Sequence, residues 1–154
     1  MNKIATDIEQ SKKLLELGLS PDSADMYWER DMNCLGVEAY NLIPAIRYSK
    51  KELKQLFEEF NNLVPAWSLS ALLGLMPNFI MIKNEETQYE AYFYFNLFLG
   101  KYPWRWHAQY TGRDFVLEGN QNKHKTKTIS NFVSENQLDV VYEMLVWVLE
   151  NKKL

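Results

Sequence analysis

The sequence predicts an α+β fold in a single domain spanning residues 1–154. A small antiparallel sheet of three to four strands lies at about 79–117, with helices packed on one face. Two observations predict this class. Ten of the 22 aromatic residues fall between Tyr89 and Tyr110, in a stretch with the alternation of β-strands. Three capping motifs elsewhere begin segments whose apolar residues recur with the period of a helix.

Composition narrows the class of protein. A chain of 154 residues fits one domain and can bury a core without disulfides or metal. The net charge of −3 provides no basic field to attract nucleic acid. Cys34 is the only cysteine, which rules out an intrachain disulfide and predicts a reducing, cytoplasmic location. The first residues lack a signal-peptide apolar run, and Ala91–Leu99 is too short to cross a membrane as a helix.

The first third of the chain contains three predicted segments. Thr6 caps a helix over about 7–17, and Gly18 ends that helix in the left-handed conformation. Ser20-Pro21 begins one or two helical turns that reach about Trp28. Residues 29–48 are weakly patterned and are predicted as short strand or loop.

Two further helices follow in the sequence. Ser49–Glu52 is a capping box that begins a helix over about 50–60, whose apolar residues define one face. Residues 65–77 are apolar and closed by proline, which predicts a buried helix with Ser68 near its cap and Trp67 inside the protein.

The predicted sheet begins after this helix. Residues 79–82 form a short strand, 84–87 a turn and 89–99 a strand with alternating faces. A turn at 100–103 leads to a strand over 104–110. A second turn at 111–114 and a last short strand at 115–117 complete a meander.

The remaining segments are a loop and a helix. Residues 118–128 are polar and rich in lysine, which predicts a mobile loop. Ser134 begins a third capping box and a strongly amphipathic closing helix. We expect this helix and the helix at 50–60 to cover the sheet.

Three segments of the sequence resemble a family of small uncharacterised bacterial proteins. The segments are KIATDIEQSKKLLELGLSPDSADMYW, VPAWSLSALLGLMP and VVYEMLVWVLEN, which cover about a third of the chain. Proteins of this family are often encoded in prophage-like or other mobile regions of gut anaerobes. The resemblance implies an accessory protein of a mobile element and brings no catalytic residues. Gly74 departs from the pattern, which has an acidic residue at that position.

The strongest candidate site is a binding surface centred on Trp104–His107. Strand alternation places Arg105 and His107 on the face opposite the two tryptophans, and Tyr92 and Tyr94 share that face if the register permits. Together with Arg113, these residues are predicted to bind an anionic or aromatic ligand. The alternative is an ordinary solvent-facing sheet surface.

Three other clusters were considered as sites. Cys34 and His107 have the chemistry of a thiolate pair, although an inert cysteine is the more common case. Asp22, Asp25 and Glu29, with Asp31 nearby, would form one acidic helix face able to bind a hard cation, or simply a solvated surface. The basic stretch 123–127 would contact a nucleic-acid backbone or serve as a solubilising loop.

The sequence therefore predicts a non-enzymatic protein-binding or interaction protein, with a protein partner or self-association. No catalytic residue, metal ligand or cofactor is predicted, because the chain has no glycine-rich phosphate loop and no HExxH, GxSxG or paired CxxC motif. This absence does not exclude an enzyme of another class. The alternative function is a small enzyme or nucleic-acid-associated module that uses Arg105, His107 and Arg113.

Overall fold

The computed structural model describes residues 3–31, 39–58, 63–83, 88–101, 103–118 and 121–151. Over these residues the protein is a mixed α/β structure with two antiparallel sheets and four α-helices. The chain divides into two compact units, residues 1–74 and 75–154. The α+β class is confirmed, and the single domain stays a prediction.

The first unit contains a three-stranded sheet with strand order β2-β1-β3. Its elements are helix α1 (Ile8–Glu16), a 3-10 turn (Pro21–Ser23), β1 (Met26–Asp31), β2 (Ala39–Pro44), a 3-10 turn (Ala45–Arg47), α2 (Lys50–Glu58), β3 (Leu63–Ala66) and α3 (Leu69–Leu75).

The second unit contains a four-stranded antiparallel meander with strand order β4-β5-β6-β7. Its elements are β4 (Phe79–Lys83), β5 (Glu90–Leu99), β6 (Trp106–Glu118), β7 (Gln121–Ser134) and helix α4 (Gln137–Glu150).

Helix α1 begins one residue later than predicted, because Asp7 rather than Thr6 is its N-cap. The Asp7 carboxylate accepts from the Gln10 backbone N–H at 2.9 Å, and the Gln10 side chain accepts from the Asp7 N–H at 3.2 Å. The Thr6 hydroxyl instead contacts Ser11 and accepts from the backbone N–H of Trp67 at 3.0 Å. Gly18 ends the helix at φ +89°, as predicted.

The region after Gly18 contains more strand than predicted. The helical turn stops at Ser23, and Trp28 lies in β1, the central strand of the sheet. Tyr27 pairs with Ile43 on one side and with Pro65 on the other. Strand pairing of this kind outweighs the weak secondary-structure preference of the local sequence. Residues 32–38, with Cys34, lie outside the described residues.

The capping box at Ser49 is confirmed. The Ser49 backbone N–H donates to the Glu52 carboxylate at 2.8 Å, and the Glu52 N–H donates to the Ser49 hydroxyl at 3.3 Å. Leu53 and Leu56 of α2 pack against the first sheet, on the cluster of Tyr27, Ile43 and Leu63. The sequence placed this helix on the sheet at 79–117.

The predicted helix at 65–77 is shortened by strand pairing. Residues 63–66 form β3 against β1, and the helix occupies only Leu69–Leu75. Ser68 caps it, since its hydroxyl accepts from the Ala71 N–H at 3.3 Å. Trp67 is fully buried, as predicted, and its indole N–H donates to the Ser23 hydroxyl at 3.0 Å rather than to a carbonyl or water.

The second sheet is larger than the predicted one. Strands β4 and β5 match the predictions at 79–82 and 89–99, while the turn predicted at 84–87 lies outside the described residues. The turn predicted at 111–114 is wrong, because β6 continues through it with only a register shift at Tyr110/Thr111. The loop predicted at 118–128 is also wrong, because residues 121–134 pair with β6 as β7.

Helix α4 packs on β6 and β7. Its N-cap is Asn136, not Ser134: the Asn136 side chain accepts from the Leu138 N–H at 2.9 Å. The Trp147 ring lies 6.1 Å from the ring of Tyr110, which is buried in the sheet. The buried residues of α4 are Leu138, Val140, Val141, Tyr142, Met144, Leu145 and Val148.

Candidate functional site

The two faces of the second sheet differ in burial. Strand register places Ala91, Phe93, Ala108 and Tyr110 on the side of α4, where all four are buried. The opposite side is here called the open face. It carries the other alternate residues, among them Phe79, Met81, Lys83, Glu90, Tyr92, Tyr94, Phe98, His107, Thr111, Arg113, His124, Thr126 and Val133.

The open face exposes a group of large apolar side chains. Six of them keep 41–56% of their surface exposed: Phe79, Met81, Tyr92, Tyr94, Phe98 and Val133. Because a large aromatic side chain has about 150–250 Å² of surface, the six expose on the order of 500 Å². The largest exposed patch on a monomer is typically about 300–600 Å² and is often functional. Phe79, Met81, Tyr92 and Tyr94 are register neighbours on β4 and β5, so these four form the contiguous part of this exposed surface.

The aromatic rings on this face contact one another. The ring centroid of Phe79 lies 5.6 Å from that of Tyr92 and 6.2 Å from that of Tyr94, both in tilted arrangements. Such pairs have favourable ring geometry and restrain one another. The face thus presents a partly ordered aromatic surface formed by β4 and β5.

A groove of about 500 Å³ lies on the open face beside these rings. Its lining comes from three adjacent strands: Glu90, Tyr92 and Tyr94 of β5, Thr111, Gly112 and Arg113 of β6, and His124 and Thr126 of β7. From Glu90 to Tyr94 the β5 side of the groove is about 13 Å long, at about 3.3 Å per residue. That length matches about four residues of an extended peptide.

The groove contains one acidic side chain, Glu90, and one arginine, Arg113. The Tyr92 hydroxyl donates to the Glu90 carboxylate at 3.3 Å. The Asp114 carboxylate lies on the other face, is 7% exposed and binds Lys127 at 3.1 Å. The exposed guanidinium of Arg113 has no ion-pair partner among the residues that the structure describes. Arg113 is thus a cation beside two tyrosine rings, available to an anion.

The structure separates the residues of the predicted site into two groups. Tyr92, Tyr94 and Arg113 line the groove together. His107 shares the open face but lies further along it, where its ring stacks on Phe98 at a centroid distance of 5.0 Å. Arg105 precedes β6 and forms an exposed ion pair with Glu135 at 3.8 Å. Neither Arg105 nor His107 lines the groove.

Sequence reasoning missed the contribution of β7 to the groove. His124 and Thr126 were assigned to a loop because Lys123, Lys125 and Lys127 make the segment look solvated. The useful signal was the alternation itself, since lysines at odd positions and histidine or threonine at even positions have the period of a strand. Lysines are also typical of edge strands, and β7 is at the edge of the sheet.

The acidic cluster predicted on a helix has a different structure. Asp22 lies in a 3-10 turn and Glu29 in β1, so no helical face joins them. The Asp25 carboxylate accepts from the Ser68 backbone N–H at 2.8 Å, and Glu29 accepts from the Tyr48 hydroxyl at 2.8 Å. In the described part of the chain, no three His, Cys, Asp or Glu side chains are grouped to hold a metal ion.

Comparison with protein-family models, with curated proteins and with solved structures finds no significant match. Among the described residues, no helix is both long and apolar enough to cross a membrane.

Proposed function

We propose that this protein is a non-enzymatic interaction protein that binds a partner protein through the open face. We also propose that it is an accessory protein of a prophage or other mobile element, which is what the resemblance described above implies. The observation that supports the proposal is the exposed aromatic surface on a sheet that packs against α4 through β6 and β7. Tyrosine, phenylalanine, methionine and arginine are the residues enriched at protein interfaces.

A protein partner fits the open face better than nucleic acid does. Affinity for nucleic acid grows with the number of phosphates that lysine and arginine neutralise. Two of the three lysines between 123 and 127, Lys125 and Lys127, lie opposite Asp114 and Gly112, on the side away from the open face. The groove itself contains a single arginine and one glutamate. The groove therefore offers a binding partner mainly aromatic surface rather than positive charge.

The test is capture of a partner by the purified protein, followed by identification and by measurement with purified components. We expect Phe79→Ser with Tyr94→Ser to weaken binding at least tenfold, because the two rings lie together on the open face. The matched control is Ile46→Ser, which removes an apolar side chain that is 92% exposed in the first unit. Equal binding by both variants and the wild type would remove the open face as the interaction surface.

A further inference from the structure

The groove on the open face carries a more specific inference, which rests on the proposed function. We infer that it binds an extended acidic segment of the partner protein, in which a carboxylate and an aromatic or large apolar side chain lie two positions apart and face the same side. The carboxylate pairs with Arg113, and the apolar side chain packs on Tyr92 and Tyr94.

Charge is the first argument for this partner. Arg113 is exposed and is not paired within the described residues, whereas the nearest acid in sequence, Asp114, is turned to the other face and bound by Lys127. Glu90, the acid in the groove, accepts a hydrogen bond from Tyr92. A guanidinium binds a carboxylate through two parallel hydrogen bonds. A carboxylate of the partner would therefore form a bidentate ion pair with Arg113.

Shape is the second argument. Thr111 and Arg113 line the groove from β6, on either side of Gly112, whose register partner Phe93 is on the α4 side. The rings of Tyr92 and Tyr94 line the groove from β5, and Thr126 and His124 line it from β7. An extended segment of about four residues has the length of the β5 side, with side chains alternately toward and away from the sheet. An apolar residue and an acidic residue two positions apart in such a segment both face the sheet and reach the rings and Arg113.

A second copy of this chain is a weaker occupant. A second copy would bring one groove carboxylate for each Arg113, that of Glu90, which already accepts a hydrogen bond from Tyr92. A nucleic acid would need several cations at phosphate spacing, and the groove offers one arginine. Both occupants are outcomes of the test.

The test is a titration followed by NMR chemical shifts of the full chain with two blocked hexapeptides. In one, serine separates glutamate from phenylalanine in the order Glu-Ser-Phe-Ser-Glu-Ser, so that glutamate and phenylalanine face the same side of the extended peptide. The other replaces each glutamate with glutamine. We expect the glutamate peptide to shift signals of Tyr92, Tyr94 and Arg113 and to bind at least fivefold more tightly than the glutamine peptide. Raising the salt concentration should reduce that difference, because a partly exposed ion pair is screened.

Two arginine variants test whether Arg113 causes the preference for the glutamate peptide. Arg113→Gln should weaken the glutamate peptide by about fivefold, the upper end for an exposed ion pair, and leave the glutamine peptide nearly unchanged. The matched control Arg47→Gln, on the first unit, should change neither peptide. An octamer of deoxythymidine should bind more weakly than the glutamate peptide.

Four results would overturn the inference: equal binding of the two peptides, equal effects of Arg113→Gln and Arg47→Gln, tighter binding of the oligonucleotide, or no binding of either peptide at millimolar concentration. Concentration-dependent dimerisation that Arg113→Gln and the glutamate peptide leave unchanged would assign the face to a second copy instead. In each case, loss of partner capture by the Phe79/Tyr94 variant still tests the proposed function separately.

Discussion

Gly112 lies so close to the main chain of Tyr92 that a side chain at position 112 would overlap the Tyr92 carbonyl oxygen. The two residues belong to neighbouring strands, where Gly112 is the register partner of Phe93. The obstacle is backbone rather than the end of a flexible side chain, so relief requires the strands to move.

We therefore expect Gly112→Ala to destabilise the protein by about 1–3 kcal/mol, the usual cost of forcing atoms into a packed site. The control is Gly74→Ala in α3, where a new methyl group meets no atom within 4 Å. That control should be neutral or more stable by up to about 1 kcal/mol, because alanine favours a helix. Urea denaturation of both variants measures the difference, and equal stability would contradict the close approach.

Trp67→Ala is expected to be mostly unfolded or insoluble at 37 °C. The side chain is fully buried and its indole N–H is bonded to Ser23, and truncating such a residue costs about 3–5 kcal/mol. Total stability is expected near 5–15 kcal/mol. Trp104→Ala, which removes a side chain that is 64% exposed, should fold normally. Thermal melts of the two variants test this prediction. A melting temperature of Trp67→Ala within a few degrees of wild type would refute it.

Tyr110→Phe should lower stability by about 1–2 kcal/mol, because it leaves the Pro77 carbonyl without its donor. The Tyr110 hydroxyl donates to that oxygen at 2.7 Å, and burial raises the pKa of the phenol above its ordinary range. Tyr94→Phe is the matched control, since that side chain is 56% exposed on the open face. A control variant that melts as low as Tyr110→Phe would count against the buried hydrogen bond.

Glu143→Gln should raise the melting temperature by about 1–2 °C at pH 7, from relief of a like-charge contact on a helix. Partial burial, and then the charges of Asp139 and Glu150, raise the pKa of Glu143. An acid with a raised folded-state pKa is destabilising when ionised. The cost is present above that pKa and disappears as pH falls below the unfolded value, near 4.5. The gain from Glu143→Gln should vanish at about pH 4, and a gain independent of pH would reject this cause.

A single cooperative unfolding transition is expected if the chain is one domain, as its length predicts. Units of 74 and 80 residues lie close to the size at which one hydrophobic core gives only a small net stability. Urea unfolding followed by circular dichroism and by amide hydrogen exchange in each unit should give coincident midpoints. Two separated midpoints would show that the units fold independently.

Elements with strong periodicity could be predicted from the sequence. The aromatic alternation of 89–99 gave β5 and its buried face, and the apolar repeat after residue 137 gave α4. Helix starts were less exact, because several adjacent residues can cap and the fold chose Asp7 and Asn136. Thr6, the cap expected for α1, is used to hold Trp67, a contact 61 residues away that no local pattern contains.

Strands with polar sequences were missed. The polar sequence of β7 has no alternation of apolar residues. It forms a strand because it pairs with β6 over its whole length. Before β1, the Ser20-Pro21 cap predicted helical turns as far as about Trp28, although Met26–Trp28 pair on both sides as a strand. For the candidate site, alternation predicted that Tyr92, Tyr94 and His107 share a face. The separation of Arg105 from Arg113 depends on where β6 begins, which local composition does not determine.

The two sheets differ in how far apart along the chain their paired strands lie. In the second sheet each strand pairs with its neighbour in sequence, and the β6–β7 pairing closes from Glu118 and Gln121 outward. In the first sheet Met26 of β1 pairs with Ala66, 40 residues later. Because distant pairings slow folding, the hairpins of the second sheet should form early and β3 should dock late. During synthesis β1 therefore keeps one unpaired edge until α2 has emerged, and pulse-labelled hydrogen exchange should find the amides of β3 among the last protected.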